Sequence, residues 1–393
     1  MITRDVSYSL LLKDQAGELH KKLAQYYEQD PDSPYVLLAH HWQAARQLDK
    51  ALGFYILAID QAIEEFANSD VVTLANRALK LCDEIGSDRT TRAHILTCKG
   101  KALFDLGQLN DSIQVLQLAA TTLDVPMPQS TLMLVVGILK QIFNQYRYRG
   151  SAFESLDLSE SEILRRVGAA DAYSQIQLIY YFQSDDLRTV YSALRGANLG
   201  ASSGRLLPSL VRMNANLAVI FGLIPAHKVA RYYLDLATSQ TKIINHSVST
   251  GWVELVHATY LNGIGEWAEA LEHYDAALEI TKRMGDQGTT AIVSTGRAKM
   301  LIMMGQYSRS LTDFESMYQG AMSRGDPRGI CWSLMGQARN LWRLGQGEEV
   351  DSYLNEVAPL LDELPFNQRM DHASLSALRA IQDGRMEDAA AAI

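Results

Sequence analysis

The chain has 393 residues, 47% of them hydrophobic and 21% charged, with 36 Lys+Arg against 45 Asp+Glu and a net charge of −9. That much apolar material excludes a disordered chain, and the length exceeds what one compact core usually supports, so several domains or a stacked repeat array are expected. The acidic balance and the lack of any basic block argue against a nucleic-acid surface or an anchor on anionic membrane.

The N-terminus, MITRDVSYSLLLKD, carries Arg4, Asp5 and Lys13, and its apolar run is too short for a signal-peptide core or a membrane span. The chain therefore reads as cytoplasmic, with no membrane insertion. Its three cysteines, Cys82, Cys98 and Cys331, are too few and too scattered for a disulfide framework, and their spacing matches no zinc-ligand pattern. No metal or cofactor is expected.

Along the chain the dominant signal is a period. RQLDKAL places a degenerate first turn at Arg46, and GQLND places the next clear one at Gly107. Residues 124–170 fit the period worst: LDVPMPQSTLMLVVGILKQIFNQYRYRG reads as a buried irregular helix that divides an N-terminal helical part from a regular array. Asp185 then takes the turn position, with a looser copy at Gly222–Ile224, and Gly265, Gly305, Gly345 and Gly384 follow at intervals of 40, 40 and 39.

A small residue stands seven positions before these glycines, at Gly100, Ala258, Ala298, Ala338 and Ala377. Two turns of helix separate such a pair on one face, so a neighbouring helix can approach closely before the glycine ends the helix in a left-handed conformation. Apolar residues at helical spacing follow each turn, as in Trp267, Ala270, Leu271, Tyr274, Ala277 and Leu278. The large residue two past the turn (Leu109, Leu187, Trp267, Tyr307, Met386) is expected to pack back over it; Gly347 breaks the rule, and its repeat is expected to be weaker.

Ala258, Gly265-Glu266-Trp267, Ala270-Leu271, Tyr274 and Ala277-Leu278 resemble the tetratricopeptide pattern, with a period of about 40 instead of the usual ~34. The resemblance implies an all-α solenoid of helix–turn–helix units in a right-handed superhelix. ITRDVSYSLLLKDQAGELHKKLAQYYE with LLAHHWQAARQLDKALGFYILAIDQA, then DVPMPQS and AYSQIQLIYYFQSDDLRTVYSALRGANLG, resemble the repeat region of bacterial STAND-type signalling ATPases, which are often fused to class III nucleotide cyclase domains. From the period, residues 1–123 are expected to be an N-terminal helical subdomain with degenerate repeats, 124–169 an irregular apolar helical connector and 170–393 the regular array. DGRMEDAAAAI stops two turns into a helix, so the last repeat is expected to be truncated and the chain to be part of something longer.

No catalytic constellation emerges, and the chain is read as non-enzymatic. GASSGR (200–205) lacks the lysine and hydroxyl residue of a phosphate-binding loop. His40 and His41 are adjacent on a helix and point about 100° apart, so they do not share one metal ion by themselves. His257 and His273 fall on packing faces, and the pairs Asp185–Asp186 and Glu348–Glu349 sit at helix starts, where the helix dipole favours them.

In tetratricopeptide arrays the first helix of each unit lines the concave face. By that register Asn214, Trp252, Thr259, Asn262, Lys299, Trp332, Arg339 and Trp342 are expected to face a groove that holds a protein or peptide, or upstream domains of the same polypeptide. The function expected is that of a protein- or ligand-binding regulatory module, or else of a free-standing scaffold.

Overall fold

The computed structural model describes residues 13–148, 158–363 and 366–392. These residues are helical and contain no strand. Two compact units partition the chain, residues 1–126 and 127–393.

In the first unit α1 (Lys13–Tyr27), α2 (Tyr35–Ala44), α3 (Leu48–Glu64), α4 (Asn68–Ile85), α5 (Arg89–Asp105) and α6 (Leu109–Thr122) each pack on their chain neighbour, and α3 also reaches past α4 to α5. The chain reverses about every twenty residues through a left-handed residue: Arg46, Phe66, Gly86, Gly107 and Asp124 all have positive φ. Trp42, Tyr55, Ile59, Ala75 and Leu81 form the core between the helices. Arg46, expected as a degenerate turn, adopts the same backbone conformation as the glycines.

The second unit contains α7 (Thr131–Tyr148), α8 (Glu160–Phe182), α9 (Asp186–Ala201), α10 (Pro208–Leu223), α11 (His227–Ile244), α12 (Ser247–Ile264) and α13 (Trp267–Met284). It continues with α14 (Gln287–Met303), α15 (Tyr307–Arg324), α16 (Pro327–Arg343), α17 (Gly347–Val357), a 3-10 segment (Ala358–Glu363), α18 (Phe366–Gln382) and α19 (Met386–Ala391). From α8 to α18 alternate helices also touch each other, α8 with α10, α10 with α12, α12 with α14, α14 with α16 and α16 with α18. That is the contact pattern of a solenoid of helical hairpins, a tetratricopeptide-like array. No described helix is long and apolar enough to cross a membrane.

The small residues do what their spacing implied. Ala258, Ala298 and Ala338 are fully buried, and a Cβ on Gly100 would lie 2.5 Å from Leu116. One device recurs: the Ser112 hydroxyl donates to the Gly100 carbonyl at 2.6 Å, and Ser310, in the matching position, donates to Ala298 at 2.9 Å. Turn glycines Gly265, Gly305, Gly345 and Gly384 have φ between +74° and +87°. A second series, Asn245, Gly285 and Gly325, ends the intervening helices in the same conformation.

Several expectations are corrected. Ser184, not Asp185, takes the left-handed turn; Asp185 is instead the N-cap of α9 and accepts from Arg188 N–H. Of the large residues two past the turn, Leu109 is buried as expected, whereas Leu187, Trp267 and Met386 are exposed. The apolar helix α7 is not buried: Leu132, Met133, Val136, Leu139 and Phe143 are exposed. Its other face lies on α9, where a Cβ on Gly137 would meet Tyr191 and where Asn198 donates to Gln141. At Gly347 the missing side chain makes room for Arg379, whose Nε donates to the Gly347 carbonyl at 2.9 Å.

Candidate functional site

A cavity of about 470 Å³ opens on one face of the second unit. Its wall comes from alternate helices: Gln177, Leu178, Tyr181 and Phe182 on α8, Asn216, Val219, Ile220 and Leu223 on α10, Trp252, Leu255, Val256 and Thr259 on α12, and Ile292 on α14. Asp186, Thr189 and Val190 from the start of α9 close one side. In a stack of hairpins every second helix shares a face, so residues about one period apart on the chain become neighbours. A volume of this size falls in the usual range for ligand-binding clefts.

Beneath the apolar lining a polar ladder ties three of the helices together. Trp252 Nε1 donates to Asn216 Oδ1 at 2.8 Å, and Asn216 Nδ2 donates to Gln177 Oε1 at 2.6 Å. The Arg212 guanidinium lies 3.8 Å from the centre of the Trp252 ring. All three members of the ladder are at least nine-tenths buried, so their hydrogen bonds hold one rotamer each in a low-dielectric setting. Thr189 Oγ1, buried in the same wall, has no hydrogen-bond partner among the described residues.

At the far side Phe182 meets Trp332 of α16, ring centroids 5.4 Å apart, and Arg328 lies over both rings. Leu223 and Ile224, 76% and 59% exposed, form an open rim. Of the described lining residues Asp186 alone carries a formal charge. A wall of this kind can bury apolar groups and orient them against a few fixed polar atoms, and it offers no base paired with a nucleophile.

All eight residues expected in the groove lie on α10, α12, α14 or α16, but they are not gathered at one site. Trp252 and Thr259 line the cavity, and Trp332 backs it through Phe182. Asn214 is buried in the seam with α11, donating to Gln240 at 2.9 Å. Arg339 pairs with Asp371 on α18, and Trp342 packs on the core around Leu334 and Leu354. Lys299 is exposed and Asn262 half-buried, neither at the cavity. The sequence reading missed Phe182, Asn216, Leu223 and Ile224. The apolar pair ahead of Pro225 in GLIPAH was the available signal for the last two.

No family model and no curated protein matches the sequence. Among solved structures the chain is similar to a Rap protein complexed with competence and sporulation factor, with a TM-score of 0.49 and 11% identity, over 87% of this chain and 95% of that one. It is also similar to yeast Tom70, with a TM-score of 0.31 and 11% identity, over 95% and 97% of the two chains. At such identities and scores neither likeness bears on what this chain binds.

Proposed function

We propose that the chain is a non-catalytic regulatory module that holds a peptide or protein segment by its apolar side chains, within a larger signalling ATPase of the STAND type with a cyclase-linked output. The observation that carries the binding role is the apolar cavity shared by α8, α10, α12 and α14, with its fixed polar ladder and its open rim of Leu223 and Ile224. An exposed apolar rim around a preformed cleft is the usual mark of a site that buries a partner's side chain. The ATPase linkage rests on the resemblance of the N-terminal stretch, of DVPMPQS and of 172–200; residues 2–12 of the first lie outside the described structure.

Selection of a random peptide library on the full chain tests the cavity. Peptides with one or two large apolar anchors are expected, and the variant Leu223→Glu/Ile224→Glu is expected to lose them while keeping its helical circular dichroism. Peptides that bind this variant as well as the parent would place the binding face elsewhere. The linkage is tested separately by an immunoblot of source cells: a band far above 43.7 kDa supports a multidomain parent. A band at that mass favours the free-standing scaffold.

A further inference from the structure

In the first unit, away from the cavity, three side chains of different chemistry converge. Asp60 projects from α3, and His94 and Cys98 lie one turn apart on α5. Asp60 Oδ1 is 2.8 Å from His94 Nε2, Cys98 Sγ is 3.8 Å from the same nitrogen, and all three donor atoms lie within 4.8 Å of one another. We propose that Asp60, His94 and Cys98 form a binding site for a divalent transition-metal ion of the zinc class, clasping α3 to α5.

The identity of the shared atom carries the argument. A Cys–His–Asp relay needs the thiol on one imidazole nitrogen and the carboxylate on the other. Here both address Nε2, so the ring cannot pass a proton between them, whereas a metal ion at that point would meet oxygen, nitrogen and sulfur together. Zinc–nitrogen and zinc–sulfur bonds of ~2.0–2.3 Å at a tetrahedral angle put nitrogen and sulfur about 3.6 Å apart, close to the spacing found. The carboxylate has to draw back from Nε2 by roughly half an ångström, which a half-exposed side chain can do.

Charge and access agree with the geometry. A carboxylate and a thiolate neutralise a dication, and the mixed donor set suits zinc or cobalt better than calcium or magnesium. Asp60 also borders an open hollow together with Glu64 and Asp70, a negatively charged approach for a hydrated cation. Imidazole and thiol ligate a metal ion only when deprotonated, so affinity is expected to rise with pH. A second cluster, His20, His40 and His41, has neither carboxylate nor thiolate to offset a dication, and the Nδ1 atoms of His20 and His41 already face each other at 2.7 Å.

The test uses the full, reduced chain and Co2+ alone as a spectroscopic stand-in for zinc. One equivalent is expected to give a thiolate-to-cobalt charge-transfer band in the near ultraviolet together with the intense visible bands of four-coordinate cobalt. Cys98→Ser should abolish the charge-transfer band and Cys331→Ser should leave it, while Asp60→Asn or His94→Gln should weaken binding by about 10-fold or more. A wild-type readout guards against misfolded variants: Zn2+ should protect Cys98 from iodoacetamide, followed by mass spectrometry, and a chelator should restore its reactivity. No charge-transfer band, a band that survives Cys98→Ser, or Cys98 alkylation unaffected by Zn2+ would overturn the site.

Discussion

Phe182, the last residue of α8, packs its ring against Trp332 of α16 with centroids 5.4 Å apart and planes tilted by 40°. Helices far apart in the sequence thus meet at the wall of the cavity, and the guanidinium of Arg328 sits 5.4 and 5.2 Å from the two ring centres. Aromatic pairs of this geometry contribute about 0.5–1.5 kcal/mol beyond the area they bury. A double-mutant cycle of Phe182→Ala and Trp332→Ala, read by urea denaturation, is expected to return a coupling energy in that range. Additive losses would show that the rings do not interact in solution.

Two glycines of the same chain should respond to alanine with opposite signs. Gly336 faces Phe314, a fully buried ring, and an added Cβ would come within 2.3 Å of it. Gly336→Ala is therefore expected to destabilise the second unit by about 1–3 kcal/mol, the usual cost of overpacking. Gly53 lies exposed inside α3 with nothing within 4 Å of its Cβ position. Gly53→Ala should stabilise the first unit by roughly 0.5–1 kcal/mol through helix propensity. Thermal unfolding of both variants against the parent decides, and a stabilised Gly336→Ala would mean that α15 and α16 are less tightly packed than described.

The first unit should lose stability on acidification in two separate windows. Burial, then the neighbouring histidines, lowers the pKa of His20 and His41 below the ordinary histidine value. A base with a depressed folded pKa is kept neutral by the fold, so its contribution is complete above about pH 6.5 and fades as protons bind the unfolded chain below that. Asp88 titrates lower. Burial raises its pKa, but the hydrogen bonds from Thr90 and Thr91 prevail and hold it at about 2. The share of this N-cap is present above the ordinary Asp range and is lost as pH falls from there towards 2. Melting temperatures from pH 8 to 2 should fall in both windows; His20→Gln/His41→Gln should flatten the upper one and Asp88→Asn the lower. A melting temperature unchanged between pH 7 and 5 would mean that the histidines are not held neutral.

The helix–turn–helix array was readable because left-handed turns favour glycine, and Gly265, Gly305 and Gly345 mark it openly. The same backbone conformation is carried by Arg46, Phe66, Asp124, Ser184 and Asn245, residues that also serve elsewhere, so the turns there left a weak trace. Register along alternate helices put Trp252 and Thr259 on the face where the cavity lies. It did not supply Phe182, whose ring lines the cavity and also meets Trp332, a residue 150 positions further along the chain. The burial expected of α7 followed from its apolar composition, which carries no information on whether a neighbour covers it. Likewise His94 and Cys98 are visibly one turn apart on one helix, but Asp60 joins them only because α3 packs past α4 onto α5.

The ladder under the cavity gives the most direct link between stability and binding. Trp252→Phe keeps an aromatic ring in the cavity wall but removes the Nε1–H, leaving Asn216 Oδ1 as a buried acceptor without its donor. Leaving such a group unsatisfied costs about 1–3 kcal/mol, while shape is nearly preserved. Asn216 would then be free to turn its amide, releasing Gln177 as well, so the floor of the cavity should loosen before the helices melt. The expected outcome is a lower urea midpoint for the second unit and weaker capture of the selected peptides, with native helicity retained. A Trp252→Phe protein with unchanged midpoint and unchanged peptide affinity would show that apolar contact alone holds this wall, and that the ladder neither orders the cavity nor supports its ligand.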